Sequence, residues 1–294
     1  MRMVLRRLVL LVSLSFVRSE EDEVVALCMI ATGSEVVKTS LARLLSSIVD
    51  FAPHHEVYLR ADGAAAKRVE ALERKPSKLR ITVALDAYAG RSRRTMERGC
   101  PSRTAEPCLW TRYQLEKTAV LRDALMADSR RGALYVDSDL ELFAPPPPFP
   151  GGRVALSHAR MREETRKAFG TYNGGSILVR DPAVLDAWRA AASAADSSCC
   201  QDQVALDAVA AAFDDVSLLP LGWNLGWYSV YADLSEDARD HLADVSCAGG
   251  ALVYGRAPLY SAHFRHGSRA RDRRSFTRRV RRAAANCTVL KRPP

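Results

Sequence analysis

The 294-residue sequence contains no Cys-x-x-Cys pair, which argues against a zinc knuckle. It also contains no internal repeat and no linker long enough to divide it, so we expect one folded domain after the N-terminal segment. Beyond that segment, no stretch approaches the roughly 20 apolar residues that a membrane span needs. With 48% hydrophobic and 26% charged residues, the composition is that of a globular protein without a stable membrane span.

The N-terminus has the pattern of a targeting segment. An Arg-rich start precedes a short apolar run, Leu8–Val17, and Val17 and Ser19 are small enough for a cleavage site after Ser19. This pattern predicts a signal peptide over residues 1–19 and a mature chain over residues 20–294. An uncleaved short anchor is the alternative. Either way we expect the lumen of the secretory pathway (endoplasmic reticulum or Golgi) or secretion.

The seven cysteines would meet an oxidising lumen. Cys28 lies in an apolar, strand-like run and is the candidate for an odd buried thiol. Cys100 and Cys108 flank a short loop and are candidates for a disulfide, although free buried cysteines are a common alternative. The triplet from Asn286 to Thr288 is an acceptor for N-glycosylation in the same compartment.

The net charge of +9 is concentrated near the C-terminus. Residues 265–282 hold nine Arg and one Asp, whereas the rest of the mature chain is slightly acidic. This is one basic segment, not a general nucleic-acid surface, and we expect no nucleic-acid partner. Most of its Arg side chains are expected in solvent, with those nearest His263 facing phosphate or an anionic glycan.

Strand-like and helix-like runs alternate along the first half. Apolar runs over Glu23–Thr32, His55–Leu59 and Leu79–Leu85 predict strands separated by helical segments, and Trp110–Ala127 predicts a long helix. Such alternation is typical of βαβ units and a mostly parallel sheet.

The strongest chemical signal follows the next predicted strand, Ala133–Val136. The strand runs directly into Asp137 and Asp139, two carboxylates at its carboxyl end. Ligands bind at that edge of open α/β sheets. Two oxygen ligands this close together suit Mg²⁺ or Mn²⁺, which also take diphosphate oxygens. A chance capping turn is the other interpretation.

This segment resembles the Asp-x-Asp motif of GT-A glycosyltransferases, and is most similar to glycosyltransferase family 8 and the related nucleotide-diphospho-sugar transferases. The resemblance implies an α/β, GT-A-type single domain with a mostly parallel central sheet flanked by helices. Five further segments match the family in order: residues 25–33, 111–125, 172–176, 201–203 and 263–267.

The resemblance also implies roles for individual residues. It implies Mn²⁺ (or Mg²⁺) as cofactor, with Asp137, Asp139 and His263 as ligands, and Asp202 with Gln203 under the reactive face of the sugar. Its candidates for donor binding are Thr32, Arg112, Lys117, Asp137, Ser138, Asp139, Asn173, Gly174, Gly267 and Arg269. For several of these a plain structural role is the alternative, such as a solvated Lys117 or N-capping by Asp202.

The C-terminal segment departs from the family pattern. Gly267 stands three residues after Phe264 where the family has two, so His266 competes with His263 as the ligand. The family's Lys-Pro-Trp is absent, and Arg269 stands nearest to its Lys. The aromatic segment Trp223–Tyr228 has two interpretations, an acceptor-stacking surface or a buried cluster.

The function implied is transfer of a hexosyl or pentosyl group from a nucleotide-sugar, in this family a UDP-sugar, to a hydroxyl of a glycan or glycoprotein, with retention of configuration. Two alternatives remain. One is a catalytically inactive lumenal glycan-binding protein. The other is an aspartyl-phosphate phosphatase, which also uses Asp-x-Asp after a strand but which Glu141 and the late position of Asp137 disfavour.

Overall fold

The structure is a computed structural model. It describes residues 25–33, 36–97, 108–128, 132–159, 166–167, 169–195, 201–226, 245–255, 257–264 and 270–290. The predicted signal peptide over residues 1–19 lies outside the described residues, as do Cys100, His266, Gly267 and Arg269. In the part that is described, no helix combines the length and the apolar character of a membrane span.

Thirteen strands occur in the described residues. They are β1 (Ala26–Ala31), β2 (Val57–Ala61), β3 (Leu79–Val83), β4 (Ala133–Val136), β5 (Leu140–Leu142), β6 (Val154–His158), β7 (Tyr172–Val179), β8 (Val216–Leu218), β9 (Leu225–Gly226), β10 (Val245–Ala248), β11 (Ala251–Tyr254), β12 (Ala257–Pro258) and β13 (Ser261–His263).

Seven α-helices accompany these strands within the described ranges. They are α1 (Ala42–Phe51), which continues a π-helical turn over Val37–Leu41, α2 (Gly63–Glu70), α3 (Arg93–Glu97), α4 (Leu109–Ala127), α5 (Pro182–Ala194), α6 (Gln201–Ala212) and α7 (Ala270–Leu290).

Seven strands form the central sheet in the order β3-β2-β1-β4-β7-β6-β8. Strands β3, β2, β1 and β4 are parallel, β7 runs antiparallel to β4 and β6, and β8 is parallel to β6. The α/β class and the mostly parallel sheet predicted from the alternating runs are therefore confirmed. Because β1 and β4 are parallel neighbours, their carboxyl ends meet at one edge.

Strand β1 separates the two main cores of the molecule. Leu27 and Met29 pack into the core that includes α1, whereas Cys28 and Ile30 pack into the core that includes α4. This explains the unbroken apolar run, since both faces of the strand are covered. Cys28 is buried and free, as the sequence predicted, and burial raises the pKa of its thiol well above the usual value.

Strands of the C-terminal part form two three-stranded sheets, β10-β11-β12 and, together with β5, β5-β13-β9. Helix α7 packs against β10 and β11, with Phe276 and Val280 buried in a third core. A disulfide between Cys247 and Cys287 joins β10 to this helix. Cys108 is also disulfide-bonded, and its predicted pairing with Cys100 stays a prediction because Cys100 is not among the described residues.

The Cys247–Cys287 disulfide yields a stability prediction. It closes a loop of 40 residues in sequence separation, and a cross-link of this kind typically contributes about 2–4 kcal/mol by restricting the unfolded chain. We expect the double variant Cys247→Ala/Cys287→Ala to lose about that much free energy of unfolding, measured by urea denaturation. An unchanged denaturation midpoint would show that helix α7 is held by its apolar contacts alone.

Candidate metal and donor site

The two carboxylates and the histidine converge at the carboxyl edge of the central sheet. Strand β13 pairs antiparallel with β5 so that His263 lies opposite Leu140, one residue after Asp139. The backbone N–H of Phe264 donates to the carbonyl of Asp139 over 2.8 Å, which fixes the two segments together. As a result, Asp137, Asp139 and His263 each offer one ligand atom within 4.8 Å of the others.

The potential ligand atoms of this cluster suit a divalent cation. His263 Nε2 lies 2.8 Å from Asp139 Oδ1 and 3.5 Å from Asp137 Oδ2. Mg²⁺ and Mn²⁺ both prefer carboxylate ligands, and an imidazole beside the carboxylates favours Mn²⁺ over Mg²⁺. Burial disfavours the charged imidazolium, but the two carboxylates outweigh burial and raise the pKa of His263. The two carboxylates thus supply negative charge at the point where a cation would sit.

Lys117 is the cation already built into the site. Its Nζ donates to Asp202 Oδ2 and to the carbonyl of Gly174, both over 2.8 Å, and lies 3.6 Å from Asp137 Oδ1. It also sits 5.0 Å from the ring centre of Tyr135. Burial opposes the charge of Lys117, but Asp137 and Asp202 outweigh it and raise its pKa. Lys117 is therefore a buried, charged ammonium, which excludes the solvated-lysine alternative.

Tyr135 holds the carboxylate of Asp137 in place through a hydrogen bond. The Tyr135 hydroxyl donates to Asp137 Oδ1 over 2.8 Å. Burial and the negative charge of Asp137 raise the pKa of Tyr135 well above its usual value, so the phenol keeps its proton. Together with Lys117, this bond orients one oxygen of Asp137 inward and leaves the other facing His263.

Residues 173–175 (Asn-Gly-Gly), near the start of β7, lie beside the cluster and form the floor of the site. Asp137 donates its backbone N–H to the carbonyl of Gly175 over 2.9 Å. A Cβ at Gly175 would lie 2.7 Å from Asn173 Oδ1 and from His263 Cε1, and 2.8 Å from Asp137 Oδ2. Only glycine therefore fits between the histidine and the carboxylate.

The Asp202–Gln203 pair lies in the first turn of α6. Asp202 is buried and its carboxylate binds Lys117, so it is not the N-cap of the helix. The Gln203 amide donates to the carbonyl of Phe169 over 2.6 Å and accepts from the backbone N–H of Gly174 over 3.3 Å. Both residues are thereby held against the Asn-Gly-Gly floor.

These residues line one cavity of about 630 Å³, within the usual range for small-molecule sites. The cavity gathers most of the predicted site residues, namely Thr32, Lys117, Asp137, Ser138, Asp139, Asn173, Gly174, Asp202, Gln203 and His263. Arg112 is exposed on α4 and does not line it. Gly267, Arg269 and the competing ligand His266 fall outside the described residues.

The supporting roles of two residues, Tyr135 and Asn224, do not emerge from the sequence. Tyr135 lies in an apolar strand, and Asn224 lies within the aromatic segment. The described part of that segment favours the buried interpretation, because Trp223 is 2% exposed and its indole N–H donates to Ser176. A polar residue inside an otherwise apolar run was the available signal for both Tyr135 and Asn224.

The Lys117–Asp202 pair yields a second prediction. Both side chains are buried, so Lys117→Met leaves the Asp202 carboxylate without its partner and is expected to cost about 3–5 kcal/mol of unfolding free energy. The matched control on the same helix is Arg122→Met, which breaks the exposed pair with Asp186 and should cost about 1 kcal/mol or less. Urea denaturation measures both, and equal costs would contradict the buried-charge argument.

No protein-family model matches this sequence, and no curated protein matches it. Among solved structures, an active-site mutant of LgtC matches with a TM-score of 0.50 and 12% identity, covering 92% of this chain and 97% of that one. The galactosyltransferase LgtC with donor and acceptor sugar analogs matches at 14% identity and TM-score 0.49, with the same coverage. The bifunctional glycosyltransferase WbbM matches at 12% identity and TM-score 0.49 over 85% of this chain. That match covers 47% of WbbM, so this chain spans about half its length. At such identities the likeness concerns the fold, which is the GT-A type of α/β fold.

Proposed function

We propose that this protein is a metal-dependent glycosyltransferase that takes its sugar from a nucleotide-sugar donor. The observation that carries the proposal is the cluster of Asp137, Asp139 and His263 on the wall of a cavity that also holds the buried ammonium of Lys117. Two carboxylates and an imidazole fit a divalent cation, Mn²⁺ or Mg²⁺. When bound, such a cation supplies Lewis-acid stabilisation of a departing diphosphate.

The cavity is lined by two chemically different groups of residues, which suggests how a donor binds. One group includes Thr32, which directly follows β1, and Trp110, and is partly apolar, as suits a nucleoside. The other group, Asn173, Gly174 and Gln203, has amide groups of the kind that bind sugar hydroxyls. The diphosphate would lie beside the metal cluster. The family resemblance favours a UDP-sugar.

In the reaction, the bond from the anomeric carbon to the diphosphate oxygen breaks and its electron pair leaves with the diphosphate. A new bond joins that carbon to the acceptor hydroxyl oxygen, and the hydroxyl proton passes to the departing phosphate oxygen or to water. The chain contributes positioning and fixed charge. Lys117, held by Asp202, places a positive charge close to the metal cluster, and Gln203 lines the same cavity. Retention of configuration follows from the family resemblance.

The phosphatase alternative fits the geometry of Asp137 poorly. A carboxylate nucleophile needs one oxygen aimed at the phosphorus atom. Here Asp137 Oδ1 accepts from the Tyr135 hydroxyl and lies near Lys117, while Oδ2 faces His263. The inactive glycan-binding alternative is separated from an enzyme by donor hydrolysis, which only the enzyme catalyses.

We also propose that the protein works in the secretory lumen or after secretion, on a glycan or glycoprotein acceptor. The support is the disulfide between Cys247 and Cys287, since stable disulfides form in oxidising compartments. The predicted signal peptide and the acceptor triplet at Asn286, which is exposed on α7, are consistent with this compartment.

The function is tested by nucleotide release from a panel of nucleotide-sugars with Mn²⁺, with Mg²⁺ and with chelator. We expect Asp139→Asn to reduce release by at least about 100-fold without unfolding the chain, as removal of a group that stabilises transition-state charge typically does. The control Glu141→Gln makes the same change two residues later, where the carboxylate binds Arg281 outside the cavity. Full activity in Asp139→Asn, or in excess chelator, would refute metal dependence.

A second test separates the two histidines. Loss of a group that only supports a metal ligand typically weakens metal binding about 10–100-fold. We expect His263→Ala to weaken Mn²⁺ binding by more than that, because Nε2 of His263 faces both carboxylates. His266→Ala should bind Mn²⁺ nearly as well as the wild type. Isothermal titration with Mn²⁺ measures both variants, and the reverse order would make His266 the ligand.

A further inference from the structure

Asn224 is buried directly behind His263, on the side away from the carboxylates. It precedes β9, is 4% exposed, and has a left-handed backbone with φ of 58°. Asparagine adopts this conformation more readily than most residues. Its backbone N–H donates to Ser261 Oγ over 2.8 Å, which ties it to the strand that carries His263.

The hydrogen bonds around Asn224 determine which way its amide faces. The backbone N–H of Gly175 donates over 2.8 Å to the side chain of Asn173, so the Asn173 atom at that position has to be the oxygen. That same oxygen lies 2.9 Å from the Asn224 side chain, and two oxygens cannot bond to each other, so the Asn224 atom is the nitrogen Nδ2. Nδ2 also donates to Ser157 Oγ over 3.1 Å.

With Nδ2 engaged on that side, the oxygen of Asn224 faces the histidine. Asn224 Oδ1 lies 3.1 Å from His263 Nδ1. An amide oxygen only accepts hydrogen bonds, so Nδ1 has to carry a hydrogen. An imidazole that ligates a cation is neutral and has one N–H hydrogen. With that hydrogen on Nδ1, the Nε2 atom that faces Asp137 and Asp139 keeps its lone pair for the cation. This is the tautomer that a cation between these groups requires.

We propose that Asn224 is a positioning residue that selects the metal-binding tautomer of His263 and holds its ring towards the carboxylates. The inference rests on one part of the proposed function, namely that the cluster binds a divalent cation. The orientation of the His263 ring depends on a continuous chain of hydrogen bonds that runs from Gly175 through Asn173 and Asn224 to His263. The floor of the donor cavity and the histidine are therefore set by the same network.

The test replaces Asn224 by glycine, which removes the amide yet accommodates the left-handed backbone. We expect Asn224→Gly to weaken Mn²⁺ binding by about 10–100-fold, measured by electron paramagnetic resonance of free Mn²⁺ without any donor. The matched control Ser157→Ala removes the other partner of Asn224 Nδ2 and leaves the contact to His263 in place. It should bind Mn²⁺ close to the wild type.

A second variant separates the acceptor role from a merely structural one. Asn224→Asp keeps an oxygen towards His263 but loses the donor towards Asn173, so we expect it to bind Mn²⁺ more tightly than Asn224→Gly. In the Mg²⁺-loaded wild type, ¹⁵N NMR of labelled histidine should show His263 protonated at Nδ1 and not at Nε2. Thermal melting checks that each variant folds.

The outcomes distinguish the inference from the proposed function. Wild-type Mn²⁺ affinity in Asn224→Gly, equal losses in Asn224→Gly and Ser157→Ala, or a His263 without a hydrogen on Nδ1 would overturn the role of Asn224 and leave the proposed function standing. A wild type that binds no Mn²⁺ at all would overturn the metal-dependent function itself.

Discussion

The pairing of β13 with β5 is the contact on which the site depends. Asp137 and Asp139 follow a strand of the central sheet, whereas His263 belongs to a strand far along the chain. The antiparallel register that sets His263 opposite Leu140 brings the imidazole to the carboxylates. A shift of one residue would turn the imidazole to the opposite face. The register is held on one side by the Phe264–Asp139 backbone bond and on the other by the bonds around Asn224.

The charged groups around this contact are mostly buried, so each of them needs a partner of opposite charge. Three carboxylates, those of Asp137, Asp139 and Asp202, converge on one buried ammonium and one buried imidazole. Leaving any of these groups unpaired in a poorly solvated place is costly. Lys117 therefore has a structural role that is separate from any contact with a donor. By contrast, Arg112 lies on the same helix but is exposed and does not line the cavity.

The fold was largely predictable from the sequence because its signals are local. The apolar run of β1 shows burial on both faces, and β4 ends directly in the Asp-x-Asp motif, so two candidate metal ligands could be placed at the sheet edge from sequence alone. His263 came from a family resemblance, and its contact with Asp139 depends on a register that no local pattern encodes. The role of Asn224 was missed for the same reason, since it arises from neighbours that are distant in sequence. Tyr135 contacts Asp137 only two residues away, but its hydroxyl does not stand out within an apolar strand.

The long separation between Asp137 and His263 also bears on how the protein is made. The ribosome adds both carboxylates long before it adds the histidine, so for much of synthesis the chain holds Asp137 and Asp139 without His263. The three side chains can come together only after residue 263 has been made. If the chain crosses a membrane as it is synthesised, the complete cluster first assembles on the far side, and a cation bound there as proposed would come from that compartment and not from the cytosol.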